Sequence, residues 1–175
     1  KAGALATETK LDIDYLGGQL EILPNDTLSR VTLANLKALN DLEYSPDEIR
    51  FANALAETLT QPEPLSSVDQ VYDRAGGVSM GSTDVGDVSW AAPTSGFSTA
   101  CWVPGTPGHS WQATASGGTT IARQGMLLAA KVLAASAWDL YRSPDTLAAA
   151  KREHEQRLAD TPYESLLEPD QKPPL

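Results

Sequence analysis

MGSTDVGDVSWAAPTSGFSTACWVPGTPGHSWQ, Met80 to Gln112, decides how the chain reads. Glycines and prolines interrupt it too often for a helix. Ser95 to Val103 is rich in β-formers and small apolar residues, so the whole reads as loop, strand, loop. Inside it stand two aspartates (Asp84, Asp87), the single cysteine (Cys101), Trp90, Trp102 and Trp111, and His109, one of only two histidines. Loops at strand ends, held by a rigid scaffold, are where sites are commonly built.

Upstream, Lys10 to Leu23 alternates Leu11 and Ile13 with Asp12 and Asp14, the pattern of a half-buried strand, until Gly17 and Gly18 break it. The opening AGALATET reads as the last turns of a helix, so the expectation is that the chain is a piece of something longer. After Pro24, Asn25 or Asp26 caps a helix to about Asn40, with Leu28, Val31, Leu39 and Leu42 on one stripe. Ser45-Pro46-Asp47-Glu48 is a capping box with proline at the first helical position. It predicts a second helix whose buried face is Ile49, Ala52, Leu55 and Leu59. Gln61 to Gly76 reads as a surface excursion.

Downstream, Thr119 to Tyr141 is rich in Ala and Leu and apolar most of the way round, a long core helix entered from Gly117-Gly118. Ser143-Pro144-Asp145 caps a last helix with a charged far side. The tail from Thr161 carries four prolines and reads as a wrap or a frayed end. Strands interspersed with helices predict an α/β class, a mixed sheet flanked by helices.

The chain has 175 residues, 41% of them hydrophobic, enough for one domain with a proper core. A net charge of −10 argues against nucleic acid or an anionic membrane as partner, since both require clustered Lys and Arg. One cysteine makes neither an internal disulfide nor a thiolate zinc cluster, so nothing asks for an oxidising compartment and a cytoplasmic setting is the expectation. The most apolar run, Met126 to Tyr141, is too short for a membrane span and contains Lys131 and Asp139.

His109, in PGTPGHSWQ, sits on a loop that Gly and Pro fix after the expected strand. Neutral imidazole is the commonest metal ligand, and a hydrogen-bonded structural or surface histidine is the bland reading. His154 lies among Lys151, Arg152, Glu153 and Glu155 and reads as solvated helix surface. Asp84 and Asp87, three apart beside glycines, read as a carboxylate pair for a metal or base, or as a helix cap and its neighbour. Gly77-Val78-Ser79-Met80-Gly81 matches the G-x-S-x-G nucleophile elbow, with Asp84 or Asp87 and His109 following in order. Its flanks, SSVDQVYDRAG before and further glycines after, do not supply the strand and helix an elbow needs. A catalytic zinc needs about three protein ligands, and no H-x-D, H-x-H or H-E-x-x-H occurs, so companions of His109 would lie outside these residues.

GSTDVGDVSW, GTPGHSWQ and TTIARQGMLLAAKVLAA, in that order, together with TETKLDIDYL and LPNDTLSRVTLANL, resemble the C-terminal third of the M20 metallopeptidase family over nearly the whole chain. The resemblance implies a zinc-peptidase-like α/β catalytic domain interrupted by an α+β lid that dimerises. Residues 1–22 would then end the lid, and 23–175 would form the C-terminal portion of the catalytic domain. It implies hydrolysis of the amide bond of an N-acyl amino acid or an aminobenzoyl-glutamate-like substrate, with two divalent ions, zinc or manganese. His109 maps onto the family's last metal histidine. Ser82, Thr83, Asp84 and Asp87 line the site, and Trp90, Trp102 and Trp111 are candidates to line an aryl pocket. The general-base Glu is expected upstream, so no catalytic residue is placed in this chain. The expected partners are the missing N-terminal half, a second copy in a homodimer and a second homologous subunit. The rival readings are a non-catalytic split or degenerate subunit that serves assembly, and a serine hydrolase using Ser79.

Overall fold

A computed structural model describes residues 1–171 of the protein; the tail's last two prolines, Pro173 and Pro174, lie outside the described residues. Among the described residues seven α-helices follow in order: α1 (Ala2–Ala6), α2 (Asp26–Leu39), α3 (Pro46–Ala56), α4 (Val85–Ala91), α5 (Trp111–Gly117), α6 (Thr120–Arg142) and α7 (Pro144–Asp160), with a 3-10 turn at Leu65–Asp69. Among the described residues there is no strand, so the expected mixed sheet is not formed.

The correction has a local cause. A helix closes its own backbone hydrogen bonds, whereas a strand needs a neighbour to accept them. Lys10 to Leu23 finds none: it is irregular, with Leu11 and Ile13 48% and 72% exposed. Ser95 to Val103 is likewise free of any ladder and lies along α6. There the Thr99 hydroxyl donates to the Gly125 carbonyl at 2.8 Å. A Cβ on Gly125 would stand 2.4 Å from the Ala100 carbonyl oxygen, so only glycine admits this approach.

α6 is the axis. Thr119 caps it by accepting from the Ala122 N–H. Its Ala- and Leu-rich interior favours helix, and Ile121, Gly125, Leu128, Val132 and Ser136 recur at helical spacing to form one buried face. α2, α5 and α7 pack on α6. Ala52, Leu55, Val103 and Ile121 make the densest core cluster, with Tyr44, Phe51, Leu65 and Ala115 around it. Ser143 ends α6 and caps α7, with Pro144 unable to continue the first and well placed to start the second. The tail folds back as a wrap, Gln171 Nε2 donating to the carbonyls of Tyr15 and Leu16 at 2.9 and 2.6 Å.

Two carboxylates, Glu48 buried and Glu153 half-buried, lock this arrangement. Glu48, 8% exposed, completes the capping box by accepting from the Ser45 N–H at 2.7 Å and reaches α6 through Gln124 Nε2 at 3.0 Å. The Thr120 hydroxyl, then the Ser45 backbone, outweigh burial and pull its pKa from 4.5 to about 2. Glu153 of α7 caps α2. Burial opposes its charge, but the Thr27 hydroxyl, the N–H groups of Asp26 and Thr27 and the Arg157 guanidinium overcome this and also bring it to about 2. Both groups bind protons less readily folded than unfolded. Their stabilisation is therefore complete above the unfolded value near 4.5 and is lost as pH falls through about 2. Each is worth on the order of 2–3 kcal/mol. Urea unfolding followed from pH 6 to pH 2 should show stability falling mainly below pH 5, and the slope should flatten in Glu48→Gln and in Glu153→Gln.

Candidate functional site

The loop from Gly81 to Asp84 is exposed and leads into α4. The Ser82 hydroxyl reaches the Gln19 side-chain carbonyl at 3.5 Å, and the Thr83 hydroxyl accepts from the Val85 N–H at 3.3 Å. Asp84 occupies the cap position yet makes no side-chain cap bond, so the capping reading of this residue does not hold and its carboxylate faces water. Asp87, in the first turn, is half-buried and accepts from the Tyr163 hydroxyl at 3.2 Å.

What holds this loop lies beneath it. Gly86 is packed under the chain at Leu20, where a Cβ would fall 1.8 Å from a carbonyl oxygen. Ser89, fully buried, accepts from the Leu23 N–H at 2.7 Å, and the Trp90 indole donates to the Glu21 carbonyl at 2.8 Å. Trp90 is thus a buried anchor rather than part of a pocket wall. The Ser89 carbonyl in turn meets His154 Nε2 at 2.9 Å. His154 is only 7% exposed, which corrects its reading as solvated surface. Its position four residues after the fully buried Ala150 carried the signal, which the charged neighbours obscured. Asn25, also missed as a buried group, accepts from the Leu28 N–H and donates to the Ala150 carbonyl. α2, α4 and α7 are therefore joined by one polar network directly behind the loop.

His109 stands on a second loop, between the extended run and α5. Gly105, at φ +82°, turns the chain where a Cβ would meet the Gln61 carbonyl at 2.3 Å, and buried Val103 donates its N–H to Ser116 at 3.4 Å. Ser110 caps α5 by accepting from the Ala113 N–H and donates to the Pro107 carbonyl at 2.7 Å. Between these fixed points His109 is exposed and takes a left-handed backbone, φ 56°. Such a conformation in a non-glycine residue costs about 1 kcal/mol or more and persists only when the surroundings impose it. Neither ring nitrogen has a hydrogen-bond partner among the described residues. Trp102 and Trp111 flank the loop, 42% and 61% exposed.

Ser82, Thr83, Asp84 and Asp87 therefore share one loop and helix start, while His109 sits on a separate loop with no hydrogen bond to them. Among the described residues no three His, Cys, Asp or Glu side chains gather as a metal-holding group. Ser79 lies in irregular chain between Val78 and Met80, which are 90% and 96% exposed, without the preceding strand of a nucleophile elbow. Cys101 is half-buried against Gly125 and Thr99, as a core thiol should be. Among the described residues no helix is long and apolar enough to cross a membrane.

Known proteins add one relation. Over 93% of its own length the chain is 31% identical to one of the subunits of p-aminobenzoyl-glutamate hydrolase from Escherichia coli (strain K12). It spans 39% of the length of that relative. The chain matches no protein-family model, and no solved structure matches it.

Proposed function

We propose that this chain is the C-terminal portion of a metal-dependent amidohydrolase of the M20 type. On this reading residues 1–22 end a lid and 23–175 belong to the catalytic unit. The substrate is an amide next to a carboxylate, of the aminobenzoyl-glutamate class. The observation that supports it most is the similarity, along 93% of the chain, to a polypeptide of a hydrolase of that name.

The side chains suit one corner of such a centre. The unpartnered His109 imidazole, presented by a loop fixed on both sides, is free to give a nitrogen to an ion, while the Asp84 carboxylate, held by no cap bond, lines the site rather than ligating. The remaining donors would come from polypeptide beyond these residues, as would the general base. When bound, two divalent ions, zinc or manganese, would supply Lewis acidity and lower the pKa of a water. The chain's own part is to place: His109 as a ligand, Asp84 and Asp87 beside the reacting amide, Ser82 and Thr83 as polar contacts to substrate. Because the relative is named as one subunit among others, a second homologous polypeptide, or a second copy, is a natural partner.

The test is a metal titration coupled to turnover of p-aminobenzoyl-glutamate by the longer protein containing this chain. About two ions per chain, and activity removed by chelation and restored by zinc or manganese, are expected. Full turnover in chelator would sink the reading. Turnover that is blocked by a fluorophosphonate on Ser79 would transfer the function to the serine mechanism. Neither metal nor turnover would leave this chain with a role in assembly alone.

A further inference from the structure

Beyond α7 the chain turns back on the candidate site. The Tyr163 hydroxyl donates to the Asp87 carboxylate at 3.2 Å. Leu166 and Leu167 then lie on a pair of glycines: a Cβ added to Gly18 would stand 2.9 Å from the Leu166 Cβ, and one added to Gly17 would stand 3.9 Å from Leu167 Cδ2. Farther on, Gln171 Nε2 donates to the carbonyls of Tyr15 and Leu16, neighbours that only the NH2 end of the amide can satisfy. Its Oε1 is buried with no partner among the described residues, so the side chain is inserted rather than laid on the surface, and its two donated bonds offset an orphaned acceptor. A few residues on, the same run is fastened to α4 at Leu20, Glu21 and Leu23. No ladder fixes Tyr15 to Gly18. The tail does so, and the same tail touches Asp87.

We propose that Tyr163 to Gln171 form a strap that pins the run Tyr15 to Gly18 and, through its phenol, sets the Asp87 carboxylate, which makes Tyr163 a positioning residue for substrate. A carboxylate already held in one rotamer loses less freedom when a ligand arrives, so the contribution of Tyr163 falls on binding rather than on the chemical step. The part given to Asp87 rests on the function proposed above; the strap itself rests on contacts within this chain.

The experiment on this chain combines Gly18→Cys with Leu166→Cys. Disulfide Cβ atoms stand about 3.5–4.5 Å apart, so a small outward shift from 2.9 Å suffices. Mild oxidation should join the two positions in most molecules, with peptide mapping finding that bond in preference to any with Cys101. Gly3→Cys with Leu166→Cys is the control, since Gly3 has open space around it, and should cross-link roughly tenfold more slowly or not at all. Gln171→Ala should speed chymotrypsin cleavage after Tyr15 and Leu16 roughly fivefold or more, because the segment opens more often, while circular dichroism stays that of the parent. In the longer protein, Tyr163→Phe should raise KM for p-aminobenzoyl-glutamate roughly threefold or more, with kcat and metal content unchanged. Cross-linking no faster than the control, or cleavage indifferent to Gln171→Ala, would overturn the strap. An unchanged KM for Tyr163→Phe in an active enzyme would overturn its hold on the Asp87 site. A parent without turnover would count against the proposed function instead, and the cross-link and the cleavage rate would still decide the strap.

Discussion

Replacing His109 by alanine in the longer protein should lower affinity for one of two metal ions by at least 100-fold and cut turnover by two to four powers of ten. The first magnitude follows because even the outer partners of a metal ligand are worth 10–100-fold, and the ligand itself is worth more. The second follows because a lost Lewis acid forfeits several kcal/mol of transition-state stabilisation, at about 1.4 kcal/mol per factor of ten. Folding should be little affected, because the ring is exposed and makes no hydrogen bond among the described residues. The backbone does impose one constraint, φ 56°, and alanine meets it no better than histidine. His109→Asn is the more telling variant, since asparagine tolerates the left-handed region and should keep the parent's thermal midpoint while still losing metal. Metal content and kcat are read together. Unchanged values of both in the two variants would remove His109 from the site.

The parts of this molecule that are legible in sequence are those whose physics is local. Ser45 and Glu48 three residues apart, Thr119 before an Ala-rich run, and Ser143-Pro144 each satisfy helix-end donors within one turn, and all three starts are found where the pattern places them. The strands are misread because alternation in Lys10 to Leu23 reports only that one face is apolar; whether a ladder forms depends on a partner that local pattern cannot see. The same holds at the candidate site. That His109 rides an exposed turn can be read from PGTPGHSW. That the Asp84 loop is clamped from below cannot, because Leu23 reaches Ser89 across 66 residues and Trp90 reaches Glu21 across 69. His154 fails for a related reason: its four charged neighbours point to water while its own position, in register with Ala150, points inward.

That clamp yields the second large effect. Gly86→Ala should destabilise the protein by about 3 kcal/mol, the upper part of the range for overpacking, although it puts a better helix former into α4. Helix propensity alone would favour alanine by about 1 kcal/mol, so the sign turns on space. The new methyl would lie 1.8 Å from the Leu20 carbonyl oxygen and 2.9 Å from its carbon, which are backbone atoms and have no rotamer to escape into. Relief requires the chain at Leu20 to lift away, and that motion pulls on the Leu23 to Ser89 and Trp90 to Glu21 hydrogen bonds. Buried Trp90 would then meet water, so in a background with the other three tryptophans changed to phenylalanine its emission should shift to the red. Gly117→Ala, at the end of α5 with open space around it, is the control and should be neutral or slightly stabilising. Because Asp84 and Asp87 ride on α4, Gly86→Ala should also raise KM in the longer protein while leaving metal content intact, which separates it from the His109 variants. A thermal midpoint equal to the parent's, with unshifted Trp90 emission, would mean that the Leu20 segment yields freely and does not hold the loop.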